Sequence, residues 1–241
     1  MKSILTVLLV FIAAGNALAI QNPSWLKVER FQIDLVEGSD EDLLFHRIKS
    51  TLQAQFKIYE GRYVWQVPLK SLYELVSKDK RVKRVAIYRE FPSVFRLEIE
   101  PHTPVLAYLD RDGRIYPVAA DAALLPALPA YEAPDLPILR GEALRDEVSL
   151  REIAIELLTT IPEEGPLRKA SVSEILYTAK DGFKVFVSGA ASEVKLGDSD
   201  FGPKLSRVQK VLSYLDSQNI KGRVIDARFS KKVVVRVRNT P

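Results

Sequence analysis

Apolar and charged positions alternate most regularly between Val82 and Leu109, in the stretch VKRVAIYREFPSVFRLEIEPHTPVLAYL. Val94, Phe95, Leu97 and Ile99 interleave with Arg96, Glu98 and Glu100, a period of two that predicts a strand with one apolar face. Val82, Val85, Ile87 and Tyr88 predict a second strand before it, and Phe91-Pro92-Ser93 breaks the pair into a hairpin. Pro92 fixes its own φ and biases Phe91 away from helix, so the break is local chemistry. Upstream, Trp25 to Leu35 alternates as a strand, and Glu37-Gly38-Ser39 turns the chain. Ser39 with Asp42 has capping-box spacing, and Leu44, Ile48 and Leu52 recur at helical spacing after it. A second helix is expected after Pro68, with Leu69, Leu72, Leu75 and Val76 as its apolar stripe and Lys78 and Lys80 at its cation-favouring end. The order strand, helix, helix, strand, strand places two helices on one face of a three-stranded sheet.

Beyond Leu109 the pattern changes. Asp110-Arg111-Asp112-Gly113 predicts a turn between extended segments. Leu124 to Leu139 is rich in proline and alanine, and it is expected to run extended along a sheet. Leu144 to Thr160 reads as one helix, with Ser149 and Glu152 as its capping pair and Ile153, Leu157 and Leu158 inward. Strands follow at Val172–Thr178, Phe183–Val187 and Glu193–Leu196, the first two joined by the hairpin signal Asp181-Gly182. A last helix spans Gly202 to Ser217, with Leu205, Val208, Leu212 and Leu215 on one side, and Arg223 to Arg238 reads as two strands or one bent one.

The chain has 241 residues, enough for one large or two modest domains. Its net charge of +4 is mild, and no stretch interleaves basic and aromatic residues as a base-stacking surface needs, which argues against nucleic acid. With no cysteine there are no disulfides, thiolate metal sites or cysteine nucleophiles. Met1-Lys2, the apolar run from Ile4 to Ala14 and the ending Ala17-Leu18-Ala19 match a secretory signal peptide cleaved after Ala19. The alternative is an uncleaved anchor, since Ser3 to Ile20 just reaches the roughly 18–20 residues of a membrane span. Either reading exports the remainder.

No catalytic or cofactor pattern emerges. His46 and His102 lie in different elements without metal-ligand spacing, and there is no G-x-S-x-G, Walker-type loop or G-x-G-x-x-G. Binding is the better expectation, and the last strand is its best candidate. VVVRVR puts Val233, Val235 and Val237 on one face and Val234, Arg236 and Arg238 on the other. A terminal strand is often a sheet edge able to accept a partner strand. The competing reading makes Lys231, Lys232, Arg236 and Arg238 gatekeepers against such pairing.

Several of these pieces, in order, resemble the bacterial FtsQ/DivIB cell-division family. WLKVERFQIDLVEG is similar to its opening strand and turn. Trp65, Val67, Val82, Val85, Ile87, Arg89, Phe91, Pro92, Leu97, Ile99, Pro104 and Ala107 follow its helix entry and hairpin. LDRDGRIY, LPALPAYEAPDLPILRG and KDGFKVFV with VKLG resemble later segments, and Ile225, Asp226, Arg228 and Phe229 stand where the family has its "iDlRy" signature.

The resemblance implies an α+β chain: a leader over 1–20, a POTRA module (β-α-α-β-β) over 25–103, and a mainly antiparallel β domain with two helices over 104–241. It implies a non-enzymatic divisome scaffold without cofactors, its bulk in the periplasm and its anchor in the inner membrane at the septum. FtsB- and FtsL-like proteins would be the partners, an FtsB strand extending the sheet at its last strand, and a septal recruiter could use the edge Val82 to Tyr88. Carried over by position, the partner surface would take in Lys180, Arg228, Phe229, Ser230, Lys231, Lys232, Val233, Val235 and Val237. A cationic rim of this kind complements an acidic partner segment. Against the resemblance stands a leader with only Met1-Lys2 before its apolar run and a cleavable ending. The alternative class is a periplasmic POTRA protein of outer-membrane assembly or secretion, which normally continues into a membrane barrel that this chain has no segments for.

Overall fold

The computed structural model describes residues 23–36, 43–188, 192–220 and 222–237. The chain separates into two units, Met1–His102 and Thr103–Pro241, and is mixed α+β with two sheets. In the first unit the described elements are β1 (Arg30–Leu35), α1 (Leu43–Phe56), α2 (Leu69–Ser77), β2 (Val82–Glu90) and β3 (Val94–Pro101). The most regular stretch of sequence becomes the central strand: the sheet order is β1-β3-β2, with β1 parallel and β2 antiparallel to β3. Phe95, Leu97 and Ile99 are fully buried beneath the helices, which contribute Phe45, Ile48, Leu52, Phe56, Leu72 and Val76. Phe31 stacks on Phe95 with ring centroids 5.3 Å apart and tilts against Phe56 at 5.1 Å. Burying each such side chain contributes about 2–3 kcal/mol.

Two local expectations change. The strand from Trp25 shrinks to β1, because Ser24–Leu26 is a single 3-10 turn and the Val28 amide donates to the Arg62 carbonyl instead. Leu75 is exposed, since the short α2 buries only Leu72 and Val76. The Ser39 and Asp42 capping pair lies outside the described residues.

The second unit contains β4 (Pro104–Leu109), β5 (Ile115–Ala119), β6 (Ile138–Arg140), α3 (Ala143–Asp146), α4 (Val148–Thr160), β7 (Val172–Thr178), β8 (Gly182–Val187), β9 (Ser192–Gly197), α5 (Phe201–Ser217), β10 (Gly222–Asp226) and β11 (Val234–Val237). The strands form one eight-stranded sheet in the order β11-β10-β9-β8-β7-β6-β4-β5. It is mainly antiparallel, as expected, but three short ladders, β9–β10, β4–β6 and β6–β7, are parallel. β6, three residues from the proline-rich stretch that slot between two hairpins, makes two of these pairs, and the crossover through α5 makes the third. One face of the sheet is apolar, where Ile175, Phe183, Val185, Val194, Leu196 and Ile225 join α4 and α5 in a continuous core.

The expected single helix is broken. Glu147 is extended (φ −94°, ψ 104°), which separates α3 from α4, and no side chain caps α4, so the Ser149 and Glu152 pair does not form. Arg151 explains the break. It is buried, and its guanidinium donates to the carbonyls of Ala122 (2.8 Å), Leu144 (2.7 Å) and Arg145 (2.9 Å). In a continuous helix the Leu144 and Arg145 carbonyls would accept from residues four further on; Arg151 satisfies them instead.

Candidate partner-binding edge

The two ends of the eight-stranded sheet differ. At the β5 end, the proline-rich segment turns back along the strand. Leu125 donates to the Pro117 carbonyl (2.9 Å), Leu128 to the Ile115 carbonyl (2.8 Å), and the Ala119 amide donates to Ala123 (2.9 Å). Isolated bridges Ile115↔Leu128 and Val118↔Leu124 complete the cover. Pro117, which has no amide to offer, stands on this side without cost. At the β11 end no described strand lies beyond Val234–Val237.

β11 is positioned by α5 and β10. Phe201, Leu205, Val208, Leu212 and Leu215 anchor α5 on the core. β10 then runs parallel to β9, pairing Ile225 with Val194 and Asp226 with Lys195. After the connection through Phe229 the chain returns antiparallel, with Asp226↔Val234 and Ile225↔Val235 in register.

The connection is clamped by two arginines. Arg228 grips Asp226 with two nitrogens (2.9 and 2.7 Å) and reaches Asp181 in the β7–β8 turn at 2.8 Å. Its hydrogen bond holds the Asp226 carboxyl below the usual carboxylate range, and its own proton affinity rises in return. Asp181 is lowered as well, first by the Lys184 hydrogen bond and then by nearby cations including Arg228. Arg207 on α5 donates to the carbonyls of Phe229 (3.0 Å) and Ser230, tying the connection to the helix.

Turn chemistry brings Asp181 within reach. Gly182 has φ +68°, and a Cβ there would stand 2.6 Å from the Gly197 carbonyl carbon, so β8 and β9 approach at a point only glycine allows.

The residues expected from sequence therefore divide. Arg228 is spent on Asp226 and Asp181, and acts as a structural clamp. Ser230 offers its carbonyl to Arg207. Phe229 is 43% exposed, and Lys232 lies over its ring at 5.1 Å. Lys231 and Lys232 are exposed, and Lys180 projects from the β7–β8 turn beside Asp181. Val233 packs partly against the core, Val235 is half-buried, and Val237 is 44% exposed. Arg238 lies outside the described residues. From Phe229 to Val237 the chain carries Lys231, Lys232 and Arg236 and no carboxylate. Arg207 was not visible as a site residue, because on a helix pattern it is one more outward cation.

Other features offer less chemistry. A cleft of about 570 Å³ between α4 and the sheet is lined by apolar Pro104, Val105, Leu136, Pro137, Ile155 and Leu158, and its rim charges Glu163 and Lys169 pair with each other at 3.5 Å. Among the described residues no group of three His, Cys, Asp or Glu could hold a metal, and no helix is long and apolar enough to cross a membrane.

Residues 107–228 match the family model described as "Cell division protein FtsQ/DivIB, C-terminal". The chain is 27% identical over 74% of its length to a cell division protein FtsQ of Geotalea daltonii, covering 67% of that protein. It is 26% identical to one of Geobacter sp. strain M21, with 73% and 66% covered, and 21% identical to one of Syntrophotalea carbinolica, with 88% and 74% covered. The chain thus spans about two thirds of the first two relatives. The family match ends at Arg228, just before the connection into β11. With that match over half its length, the chain belongs to the FtsQ/DivIB family of cell-division proteins.

Proposed function

We propose that this chain is a non-enzymatic scaffold of the division machinery that captures an FtsB-like partner by strand addition to β11, with an FtsL-like protein in the same complex. One observation carries the reading: β5 is covered by its own chain, whereas β11 has no described neighbour on its outer side. An added strand would find open backbone groups along Val234–Val237, Phe229 at one end, and Lys231, Lys232 and Arg236 as a cationic surround. An extended acidic segment is the complementary ligand. The family relationship favours this role over a part in outer-membrane assembly or secretion.

In the same reading the first unit is a POTRA module, supported by its β-α-α-β-β order, and its outer strand β2 offers Val82 to Tyr88 to a septal recruiter. The segment Met1–Ala19 serves as an inner-membrane anchor, with the bulk of the chain periplasmic at the septum.

Titration calorimetry with the periplasmic part of an FtsB-like coiled-coil protein tests the edge. Phe229→Ala should weaken binding about tenfold, as for an exposed aromatic anchor. Truncation before Lys231 should remove binding altogether. Unchanged affinity in both sinks the reading.

A further inference from the structure

One end of the first unit gathers exposed aromatic and basic side chains that nothing above uses. Trp25 (56% exposed) meets Phe91 (73% exposed) edge-on, ring centroids 5.9 Å apart. Lys27 pairs in a bridge with Tyr63 and holds its ammonium 5.7 Å over that ring. Tyr63 in turn stacks on Trp65 (57% exposed) at 4.7 Å with the rings nearly parallel. The backbone binds these segments into one surface: Gly61 donates to the Val28 carbonyl, Val28 to Arg62, and Glu29 to Ser93. Ile58 (62% exposed) and Lys57 follow α1 at the same end, and the Arg62 guanidinium lies over Tyr59 at 5.5 Å. Among the described residues Lys27, Lys57 and Arg62 make no ion pair, whereas of the nearby carboxylates Glu29 is engaged by Arg30 and Ser93. Glu60 is the exposed carboxylate of the group.

We infer that this surface rests on the interface of an anionic phospholipid bilayer. Tryptophan and tyrosine, each with an apolar body and a polar tip, favour the headgroup level, and lysine and arginine add attraction to anionic lipid. The position along the chain names the occupant. Four residues separate Ile20, the end of the apolar leader, from Trp25, and the five Cα steps between them reach at most about 18 Å. The inference rests on the proposed retention of that leader for where the bilayer lies; partner binding at β11 does not enter it.

The chain carries its own reporters, since Trp25 and Trp65 are its two tryptophans. The full chain is placed in vesicles of phosphatidylethanolamine and phosphatidylglycerol, with and without acyl-chain bromination. Trp25→Phe keeps a ring against Phe91 and leaves Trp65, forty residues further along the chain, as the sole emitter. Its emission should fall about twofold in brominated vesicles, as expected of an indole at the interface. Adding Lys27→Ser or Arg62→Ser should each lower the docked fraction about fivefold, with circular dichroism unchanged. Flotation reports the anchor separately. A chain that floats while Trp65 stays equally bright in both vesicles overturns the surface. Quenching at vesicle excess by a chain that does not float keeps the surface and discards the anchor, and a chain that shows neither overturns both.

Discussion

The two ends of the eight-stranded sheet solve the same problem in opposite ways. Both β5 and β11 would expose unpaired amides and carbonyls, a standing invitation to other strands. At β5 the chain folds back on itself, and Leu125 and Leu128 occupy the positions an intruder would take. At β11 the strand has four residues, two of its valines are 44–46% exposed, and positive charge surrounds it. Charge repels another copy of the same edge but attracts an acidic strand. The gatekeeper and docking readings of the lysines are therefore compatible: under the proposed strand addition, the same cations would exclude one class of strand and admit another. The edge β2 of the first unit is intermediate, because Lys83 and Arg84 both lean on Glu100 across the sheet.

The comparison can be broken from either side. Gly182→Ala attacks the β11 side, forcing a positive φ on alanine and a Cβ into the Gly197 backbone. It should cost about 3 kcal/mol and, in a thermal melt followed by calorimetry, weaken partner capture along with the unit. Arg151→Met attacks the β5 side. It orphans carbonyls of Ala122, Leu144 and Arg145, should cost about 2 kcal/mol, and should speed hydrogen exchange at Leu125 and Leu128. Partner affinity should hold; if it falls in parallel with stability, the two ends are not independent. Arg207→Ala is subtler, releasing the Phe229 and Ser230 carbonyls, and should reduce partner affinity about fivefold with a stability change near 1 kcal/mol.

Acidity gives the smallest effect. Asp226 and Asp181 have depressed proton affinities in the folded chain, so the clamp's contribution is complete above the ordinary carboxylate value of about 4. It is lost as pH falls through the lower folded values. Partner affinity between pH 7 and 5 should be flat with respect to this clamp, and Asp226→Asn should reproduce at pH 7 the loosening that acid produces in the wild-type chain.

Much of this was legible because it is local. Alternation from Val94 to Glu100 marked the strand that became the centre of its sheet, and Asp181-Gly182 marked the turn that presents a carboxylate to Arg228. What stayed hidden depends on partners distant in sequence. No periodicity announces a parallel β1–β3 pair, or a three-residue strand in a proline-rich run. Nothing in the helical pattern marks Arg151, and only the carbonyls of Leu144, Arg145 and Ala122 make it a buried cation. The alternation of VVVRVR and its place at the end of the chain pointed to a sheet edge; what could not be read was that the opposite edge is β5 and that the proline-rich segment covers it.

The narrowness of β6 has a mechanical consequence. β4 and β5 are joined to the rest of the sheet through Ala107↔Ile138 and Tyr108↔Leu139 on one side and three pairs to β7 on the other. Tension applied at β11 by a tethered partner, and resisted at Thr103 where the unit begins, crosses the sheet at this ladder. With a partner held at β11 as proposed, the two-pair β4–β6 ladder would be the narrowest link on that path, against three pairs in β6–β7 and β9–β10. Under load the sheet should part there before the longer β7–β8 and β8–β9 ladders yield, leaving the partner-bearing half intact.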